Sequence, residues 1–340
     1  MTVDHPKSLE AATDAADVHG NSTVTMDVSV VICTYNRASM LRDSLASWME
    51  VDVGAHQTEL VVVDNASTDE TRAVVAEFGP TPGGPLRYVH EPTPGLSQAR
   101  NRGIREARGQ IIAFVDDDVF FDRCWLQMVM KVFQQQPEVH CVGGNSIPVF
   151  ESERPPWLDD SMLTYYGSTL SGNEDRVMRF PEHPFGVNMA FRREVFDRVG
   201  NFRTNLGRKK DSLLSNEERE LFHRISAADL AVYYAASAVI YHRVPAERLD
   251  EHWILRRAYW QGVSTVVFAA HAQQRSRLRL GKDLALAVKR LSLGTGLRNP
   301  RSIIEYHRTA CLNTRMKKQL LLGTARQSLI ELFRASGSNG

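Results

Sequence analysis

The stretch that decides the fold is IIAFVDDDV, residues 111–119, in which an apolar run leads directly into Asp116, Asp117 and Asp118. A short run rich in β-branched and aromatic residues is typical of a buried strand. Three consecutive carboxylates repel one another unless something neutralises them. Mg²⁺ and Mn²⁺ prefer oxygen ligands and often bind one or two carboxylates together with substrate phosphates. An ordinary strand-to-helix turn with solvated acids is the alternative, and the triplet alone leaves both interpretations open.

Two earlier apolar runs end in the same way. VSVVIC is followed by Thr34, Asn36 and Arg37, and LVVV is followed by Asp64. Helical patterns separate these predicted strands, and this alternation predicts an α/β fold with a mostly parallel sheet, right-handed crossovers and flanking helices. Ligands of such sheets bind beyond the carboxyl ends of the strands. Three polar clusters on one rim therefore predict a polar crevice there.

The remaining pattern gives a coarse secondary structure. Ser67 and Glu70 predict a capping box at the start of a helix. A polar, turn-rich stretch begins near Arg154, and a segment of that length inside a domain is usually functional or disordered. Beyond it we expect a helix from about Glu217, a strand over residues 231–241, and mainly helix after that.

Composition limits the class of protein. The chain has 340 residues, 43% of them apolar and 24% charged, which suits a globular protein with a sizeable core. The four cysteines lack zinc-ligand spacing, so a reducing compartment and no disulfide framework are expected. No apolar run approaches the ~20 residues that span a bilayer. We expect a cytoplasmic protein, soluble or peripheral to a membrane, with a disordered lead-in over residues 1–26.

Charge is divided unevenly along the chain. The net charge is +1, yet the residues from Glu251 onward hold sixteen Lys and Arg against four Asp and Glu. Residues 247–335 are predicted to form a helical C-terminal region that contacts an anionic membrane surface or a second copy of the chain. The alternative is a set of solvated Arg-rich helix faces that pack on the acidic remainder. We expect no nucleic-acid partner.

Four motifs in order resemble the inverting family 2 glycosyltransferases of the GT-A fold: VSVVICTYNR, VVVDNASTDET, GLSQARNRGI and IIAFVDDDV. The match continues more weakly through FGVNMAFRREVFDRVGNF and NEERELFHRI and does not extend beyond about residue 247. The resemblance implies a GT-A-like catalytic domain over residues 27–246. Its Rossmann-like, nucleotide-sugar-binding half would span residues 27–119, and its acceptor-binding half residues 120–246.

The resemblance also implies roles for individual residues. Asp64 would meet the nucleobase, Arg100 the ribose–phosphate region and Asp116 the ribose, while Asp118 and His242 would hold the metal. Structural roles remain open for Arg100 and His242. The implied nucleotide-sugar-binding set is Thr34, Asn36, Arg37, Asp64, Arg100, Asp116 and Asn188, the last of which could equally be a structural amide.

The family usually places a Glu-Asp pair where this chain has Glu217 and Glu218. The second acid of that pair is the usual general base, so the resemblance implies that Glu218 takes this role with a side chain one methylene longer. Glu217 and Asp211 are its rivals. Acids in the first turn of a helix also favour the helix dipole, which is the alternative explanation for the pair.

The activity that the resemblance implies is inverting transfer of a sugar from a nucleotide-diphosphate sugar, with a UDP-sugar favoured, to an acceptor hydroxyl with Mn²⁺ or Mg²⁺. One alternative is a catalytically weak nucleotide-sugar-binding scaffold that acts through its basic C-terminal helices. Another is a nucleotidyltransferase, which would also use a parallel sheet and Mg²⁺. That class usually has a glycine-rich loop after its first strand, and CTYNRAS has no glycine.

Overall fold

A computed structural model describes residues 26–169, 171–210, 212–272, 282, 285–287, 289 and 305–337. The strands are β1 (Val28–Thr34), β2 (Thr58–Asp64), β3 (Leu86–His90), β4 (Ile111–Asp116), β5 (Val119–Phe121), β6 (Val139–Phe150), β7 (Arg176–Met178), β8 (Asn188–Arg192) and β9 (Ala231–Val244). The helices are α1 (Ala38–Trp48), α2 (Thr71–Glu77), α3 (Leu96–Glu106), α4 (Trp125–Gln135), α5 (Glu194–Val199), α6 (Glu217–Ala227), α7 (Glu251–Ala272) and α8 (Glu305–Gly337). Short 3₁₀ helices lie at Asp160–Tyr166 and Ala246–Leu249.

The described strands form one sheet in the order β3-β2-β1-β4-β8-β6-β9-β5, and β7 also pairs with β9. Strands β1 to β4 are parallel to their neighbours in this group, as the alternation of strands and helices predicts. Beyond β4 the sheet is mixed, because β8 runs antiparallel to β4 and β6 whereas β6 and β9 run parallel to each other. The predicted α/β fold class is confirmed.

Helices cover both faces of the sheet, which explains the continuous apolar runs of its central strands. Successive side chains of a strand point to opposite faces, and β1 shows this directly. Val30 and Ile32 pack in one core cluster with residues of α1 and α4, whereas Val31 packs in a second cluster with residues of α3 and α6. The carboxyl ends of β1 and β4 are thereby fixed side by side at one rim.

The predicted capping box before α2 is wrong. Ser67 Oγ instead accepts a hydrogen bond from the backbone N–H of Asn36, at 2.9 Å. Asp69 supplies the cap, since its Oδ1 accepts from the backbone N–H of Thr71 at 3.1 Å. The serine therefore ties the loop after β1 to the loop after β2 rather than starting the helix.

The C-terminal helices α7 and α8 are joined to each other at two glycines. A Cβ on Gly262 would lie 2.0 Å from the carbonyl oxygen of Leu320, and a Cβ on Gly323 would lie 2.0 Å from that of Tyr259. Only glycine permits two helix backbones to approach this closely. The part of residues 247–335 that the structure describes is therefore a tightly packed helix pair.

The same pair packs against the part of the chain that contains the sheet. Ile254 of α7 and Met316 of α8 share a buried cluster with Trp157, Tyr166 and Val244. This contact places α7 beside the rim described above. No helix within the described residues is both long and apolar enough to cross a membrane.

Candidate active site

A cavity of about 720 Å³ opens at the carboxyl ends of β1 and β4. The loops after these strands line one side of it, and the first residues of α3 and α6 line the middle. Residues of α7 line the opposite side, and His242 of β9 lines the cavity next to the loop after β4. This is the rim at which the sequence predicts a polar crevice.

The acidic triplet after β4 is held by cationic and hydroxyl side chains. Arg37 Nη1 donates to Asp117 Oδ1 and to Asp118 Oδ2, both at 2.7 Å, and Thr34 Oγ1 donates to Asp117 Oδ2 at 2.7 Å. Asp117 and Asp118 are 4% and 2% exposed, so the charge repulsion between them is relieved by Arg37 and not by water. Asp116 stays partly exposed on the cavity wall.

The pKa values of the two buried acids move in opposite directions. Burial raises the pKa of Asp117, and the neighbouring Asp118 charge adds to this against the opposing effect of Arg37. Burial also acts to raise the pKa of Asp118, but His242, Arg37 and Arg248 outweigh it and hold that pKa well below its usual range. Of the two, Asp118 is the acid whose ionised form the surroundings favour more.

Asp118 and His242 form a corner that fits a divalent cation. His242 Nδ1 lies 2.7 Å from the carbonyl oxygen of Tyr166, which can only accept, so this nitrogen carries a proton. His242 Nε2 then faces Asp118 Oδ1 at 3.2 Å, and that buried oxygen has no well-aligned hydrogen bond within the described residues. Two groups that can both donate a lone pair need a cation between them, either the proton of an imidazolium or a metal.

The number of protein ligands also limits the kind of metal site. No group of three or more His, Cys, Asp and Glu side chains comes together within the described part of the chain. Mg²⁺ in phosphate-binding sites typically uses one or two carboxylates and completes its shell with substrate phosphates and water. A two-ligand corner of Asp118 and His242 fits that pattern.

Asp64 and Asn36, which the sequence assigns to the nucleotide, are bonded within the protein. Asp64 Oδ2 accepts from the Tyr88 hydroxyl at 2.7 Å, and its Oδ1 accepts from the backbone N–H of Ser67 at 2.9 Å. Asn36 has a φ of 51°, and its Oδ1 accepts from the backbone N–H of Thr68 at 2.7 Å. These contacts fix the loops after β1 and β2, and neither side chain is among those that line the cavity.

Arg100 lies at the centre of the cavity and is 3% exposed. Its Nη1 donates to Glu217 Oε1 at 2.8 Å, and its Nη2 lies 3.6 Å from Asp116 Oδ1. It therefore connects the end of β4 to the start of α6. Gly186 makes room for this arginine, because a Cβ there would lie 2.3 Å from Arg100 Nη2.

Glu217 and Glu218 both line the cavity at the first turn of α6, but their surroundings differ. Glu217 is 4% exposed and ion-paired to Arg100. Burial raises the pKa of Glu217 to about 7, and the Glu218 charge adds to this while Arg100 opposes it. Glu218 forms no ion pair with a described residue, and the Oε2 atoms of Glu217 and Glu218 are both buried without a hydrogen-bond partner in the described structure. Asp211, the other rival for the role of base, lies outside the described residues.

Asn188 is separated from the cavity. It is 1% exposed and its Oδ1 accepts from Trp125 Nε1 at 3.0 Å. Its Nδ2 donates to the backbone carbonyls of Asn145 and Ala238 at 3.0 and 2.9 Å. The amide is thereby used to join β8, β6 and β9. It does not line the cavity with the other predicted residues.

The profile of the family described as "Glycosyl transferase family 2" matches residues 29–200, which is more than half of the chain. The chain belongs to glycosyl transferase family 2. The match covers β1 to α5, including the acidic triplet and Arg100. Glu218, His242 and the C-terminal helices lie beyond it.

Two relatives and one solved structure are similar to the chain. The chain is 28% identical over 243 residues to the glucosyl-dolichyl phosphate glucuronosyltransferase of Haloferax volcanii, covering 70% of this chain and 76% of that protein. It is 23% identical over 252 residues to the succinoglycan biosynthesis protein ExoM of Rhizobium meliloti, with 70% and 74% covered. The mannosyltransferase PcManGT of Pyrobaculum calidifontis, solved with GDP-Man and Mn²⁺, has a similar fold with a TM-score of 0.56, 22% identity, and coverage of 90% and 88%.

The cavity of this family 2 glycosyltransferase also contains cationic residues that the sequence analysis did not single out. Arg208, Arg248 and Arg257 line the side formed by the loop before α6, the 3₁₀ helix before α7, and α7 itself. The sequence shows the excess of positive charge after Glu251, but nothing in it indicates which arginine faces the cavity. That depends on how α7 docks, through a hydrogen bond from the Ser215 N–H to Ser264 Oγ at 2.9 Å.

Proposed function

We propose that this glycosyltransferase moves a sugar from a nucleotide-diphosphate sugar to an acceptor hydroxyl by a single inverting displacement that depends on a divalent metal. The observation that supports this proposal is that acidic side chains lie at two places around one cavity. His242 lines the cavity with the buried Asp118 behind it at 3.2 Å, and Glu217 and Glu218 line it at the start of α6. A donor whose diphosphate lies at the first of these places would present its sugar toward the second.

In this proposal, the nucleotide is held by the loops after β1 and β4. Thr34 and Arg37 fix the acidic triplet, and Asp116 is the triplet carboxylate that faces the cavity and can accept from ribose hydroxyls. Asp64 and Asn36 act by holding the loops that shape the base pocket. A UDP-sugar stays our favoured donor. PcManGT, which has a similar fold, binds GDP-Man, so a GDP-sugar is the donor to compare with it.

Asp118 and His242 would hold Mn²⁺ or Mg²⁺ between them. Such an ion acts as a Lewis acid that neutralises charge on a departing diphosphate. Arg37, bonded to Asp118 Oδ2, keeps the carboxylate ionised and oriented for that role.

Glu218 is the proposed general base. Glu217 Oε1 is ion-paired to Arg100, whereas Glu218 forms no ion pair with a described residue, so its carboxylate is the one left to accept a proton from an acceptor hydroxyl. The Oε2 atoms of both residues have no hydrogen-bond partner within the described residues. Base catalysis by a positioned carboxylate typically contributes ~10²–10⁴-fold to the rate. Because the acceptor oxygen attacks as it loses its proton, no covalent sugar–enzyme intermediate is needed and the anomeric centre inverts.

A thermal-shift screen tests this proposal. Purified protein is heated with UDP, GDP and their hexose conjugates, each with Mn²⁺ and with EDTA. Ligand at 100 times its Kd adds about 2.7 kcal/mol to the free energy of unfolding, so a true donor raises the Tm and does so more with Mn²⁺. A protein that ignores every nucleotide under both conditions is not a nucleotide-sugar enzyme.

One face of α8 supports a peripheral role at an anionic membrane. Lys318, Leu322 and Leu329 lie on one helical face and are exposed, with Leu322 and Leu329 at 39% and 43%. Basic and apolar side chains on one exposed helix face favour an anionic lipid surface. Sedimentation with anionic vesicles, reversed by high salt and absent with neutral vesicles, is the expected result. A dimer in light scattering without vesicle binding would assign the face to a second copy instead.

A further inference from the structure

The two sides of the cavity differ in how their cations are paired. Arg37 and Arg100, on the side of β1 and α3, each contact two carboxylates. On the side of α7, Arg257 and Arg208 form no ion pair with any carboxylate in the described residues. Arg248, between the two sides, reaches Asp118 Oδ2 at 3.3 Å.

Arg257 is the least satisfied of these guanidinium groups. Its Nη1 is closed to solvent and has no hydrogen-bond partner among the described residues. Its single hydrogen bond is a long one, from Nη2 to Ser215 Oγ at 3.5 Å, and its guanidinium carbon lies 6.0 Å from the centre of the Tyr165 ring. A buried N–H of a charged group is costly to leave unpaired. A bound ligand that accepts a hydrogen bond from this arginine would remove that cost.

The neighbouring arginines repel one another. Burial lowers the pKa of Arg257 to about 10, and the charge of Arg208 adds to the effect. Arg208 is exposed at the cavity mouth. Two cations that repel each other at one wall favour an anion between them.

The donor does not account for this excess of charge. Seven Lys and Arg line the described part of the cavity against four Asp and Glu, or five when the buried Asp118 is included. A divalent cation held by Asp118 and His242 would balance the diphosphate of a nucleotide sugar. The positive charge of Arg257 and Arg208 would then remain unbalanced with both of them bound.

Resting on the function proposed above, we propose that Arg257 and Arg208 bind a phosphate group on the acceptor, so that the acceptor is a phosphorylated hydroxyl compound. Arg257 also lies within electrostatic range of Glu218, which places the phosphate on the side of the cavity where the acceptor hydroxyl must meet its base. A guanidinium fork matches phosphate geometry and can bind it with two parallel hydrogen bonds. A carboxylate on the donor sugar is the competing anion.

The experiment uses the full chain saturated with Mg²⁺ and with UDP or GDP, whichever binds. This first titration tests the proposed function by itself. Glucose 1-phosphate, glucuronate and glucose are then titrated separately into the saturated protein by calorimetry. We expect glucose 1-phosphate to bind and to bind more tightly than glucuronate, while glucose is at least tenfold weaker. Tighter binding of glucuronate, or no binding of glucose 1-phosphate to the saturated protein, overturns the proposal.

Variants assign the site to residues. Arg257→Gln and Arg208→Gln should each weaken glucose 1-phosphate binding about tenfold or more, with nucleoside diphosphate affinity within twofold of wild type. Arg208 is exposed, so its variant stays informative even where Arg257→Gln lowers the Tm. Arg105→Gln, an exposed arginine on α3 outside the cavity, is the matched control and should change neither affinity. A parallel loss of nucleoside diphosphate affinity in both variants would assign the arginines to the donor and overturn the proposal.

Discussion

The β1–β4 side of the cavity and the α7 side both carry charged side chains, but only on the β1–β4 side are these charges paired within the described protein. On the first side, Arg37 neutralises Asp117 and Asp118 within the protein, so the carboxylates are oriented before any ligand arrives. On the second side, Arg257 and Arg208 have no such partner among the described residues. In the proposed function the first side would hold a cation and the nucleotide, and the second side an anion. Four changes test this division.

Substitution of the base should have the largest effect. Glu218→Gln keeps the size of the side chain and removes its ability to take a proton, so turnover should fall by ~10²–10⁴-fold. Nucleotide affinity should not change, because Glu218 forms no contact with the triplet. The measurement is single-turnover transfer from the nucleotide sugar identified in the screen. Glu217→Gln is the matched variant and should retain more turnover. The reverse order would move the base to Glu217.

The second largest effect should be on the pH dependence of the free energy of unfolding, and it should come from Glu217. Its pKa rises from an ordinary 4.5 to about 7 on folding because the carboxyl is buried. A raised folded-state pKa contributes stability that is complete below pH 4.5 and is lost as the pH rises through about 7. Glu217→Gln removes this loss. The stability of the variant relative to wild type should therefore increase between pH 5 and pH 8, by roughly 3 kcal/mol at most, since one pKa unit is worth about 1.36 kcal/mol.

Denaturant unfolding at several pH values measures this difference. A difference that stays flat between pH 5 and pH 8 would show that Glu217 remains ionised throughout. Arg100 would then dominate the electrostatics at the start of α6.

A change far from the rim should affect the α7 side alone. Gly262→Ala places a methyl group 2.0 Å from the Leu320 carbonyl oxygen, so α7 and α8 must separate. Overpacking of this kind typically costs about 1–3 kcal/mol of stability. Because α7 carries Arg257, we expect a lower Tm and weaker glucose 1-phosphate binding with unchanged nucleotide affinity.

Thr265→Ala is the control for this change, since Thr265 is exposed on the same helix. It should leave the Tm and both affinities close to wild type. Loss of nucleotide affinity in Gly262→Ala would show that the two sides of the cavity are not independent.

The two sides also differ in what the sequence could predict. The rim at β1, β2 and β4 was predictable because each cluster directly follows an apolar strand, and parallel strands bring their carboxyl ends together. Thr34, Arg37, Arg100 and Asp116 all line one cavity, as expected. Which residues directly follow a strand is a local property, so it can be predicted from the sequence.

Contacts between distant segments were not predictable in the same way. Asn188 lies in the FGVNMAF motif and was assigned to the nucleotide sugar by resemblance. Its amide is instead enclosed by Trp125 and two backbone carbonyls that only the folded sheet brings together. The role of Arg257 depends on the docking of α7, which Ser215 and Ser264 help to fix from segments 49 residues apart. A count of charges indicates a basic C-terminal region but does not distinguish a cavity wall from an outer face.

The central claim is that Asp118 binds the donor through a metal while Glu218 and the α7 side of the cavity serve the acceptor. The most direct measurement is calorimetric titration of UDP or GDP, whichever binds in the screen. It is titrated into wild type, Asp118→Asn and Glu218→Gln, each with Mn²⁺ and with EDTA. We predict that Mn²⁺ strengthens binding in wild type and Glu218→Gln and has no effect on binding in Asp118→Asn. If Asp118→Asn keeps the full Mn²⁺ dependence of wild type, the metal is held elsewhere and the account is wrong.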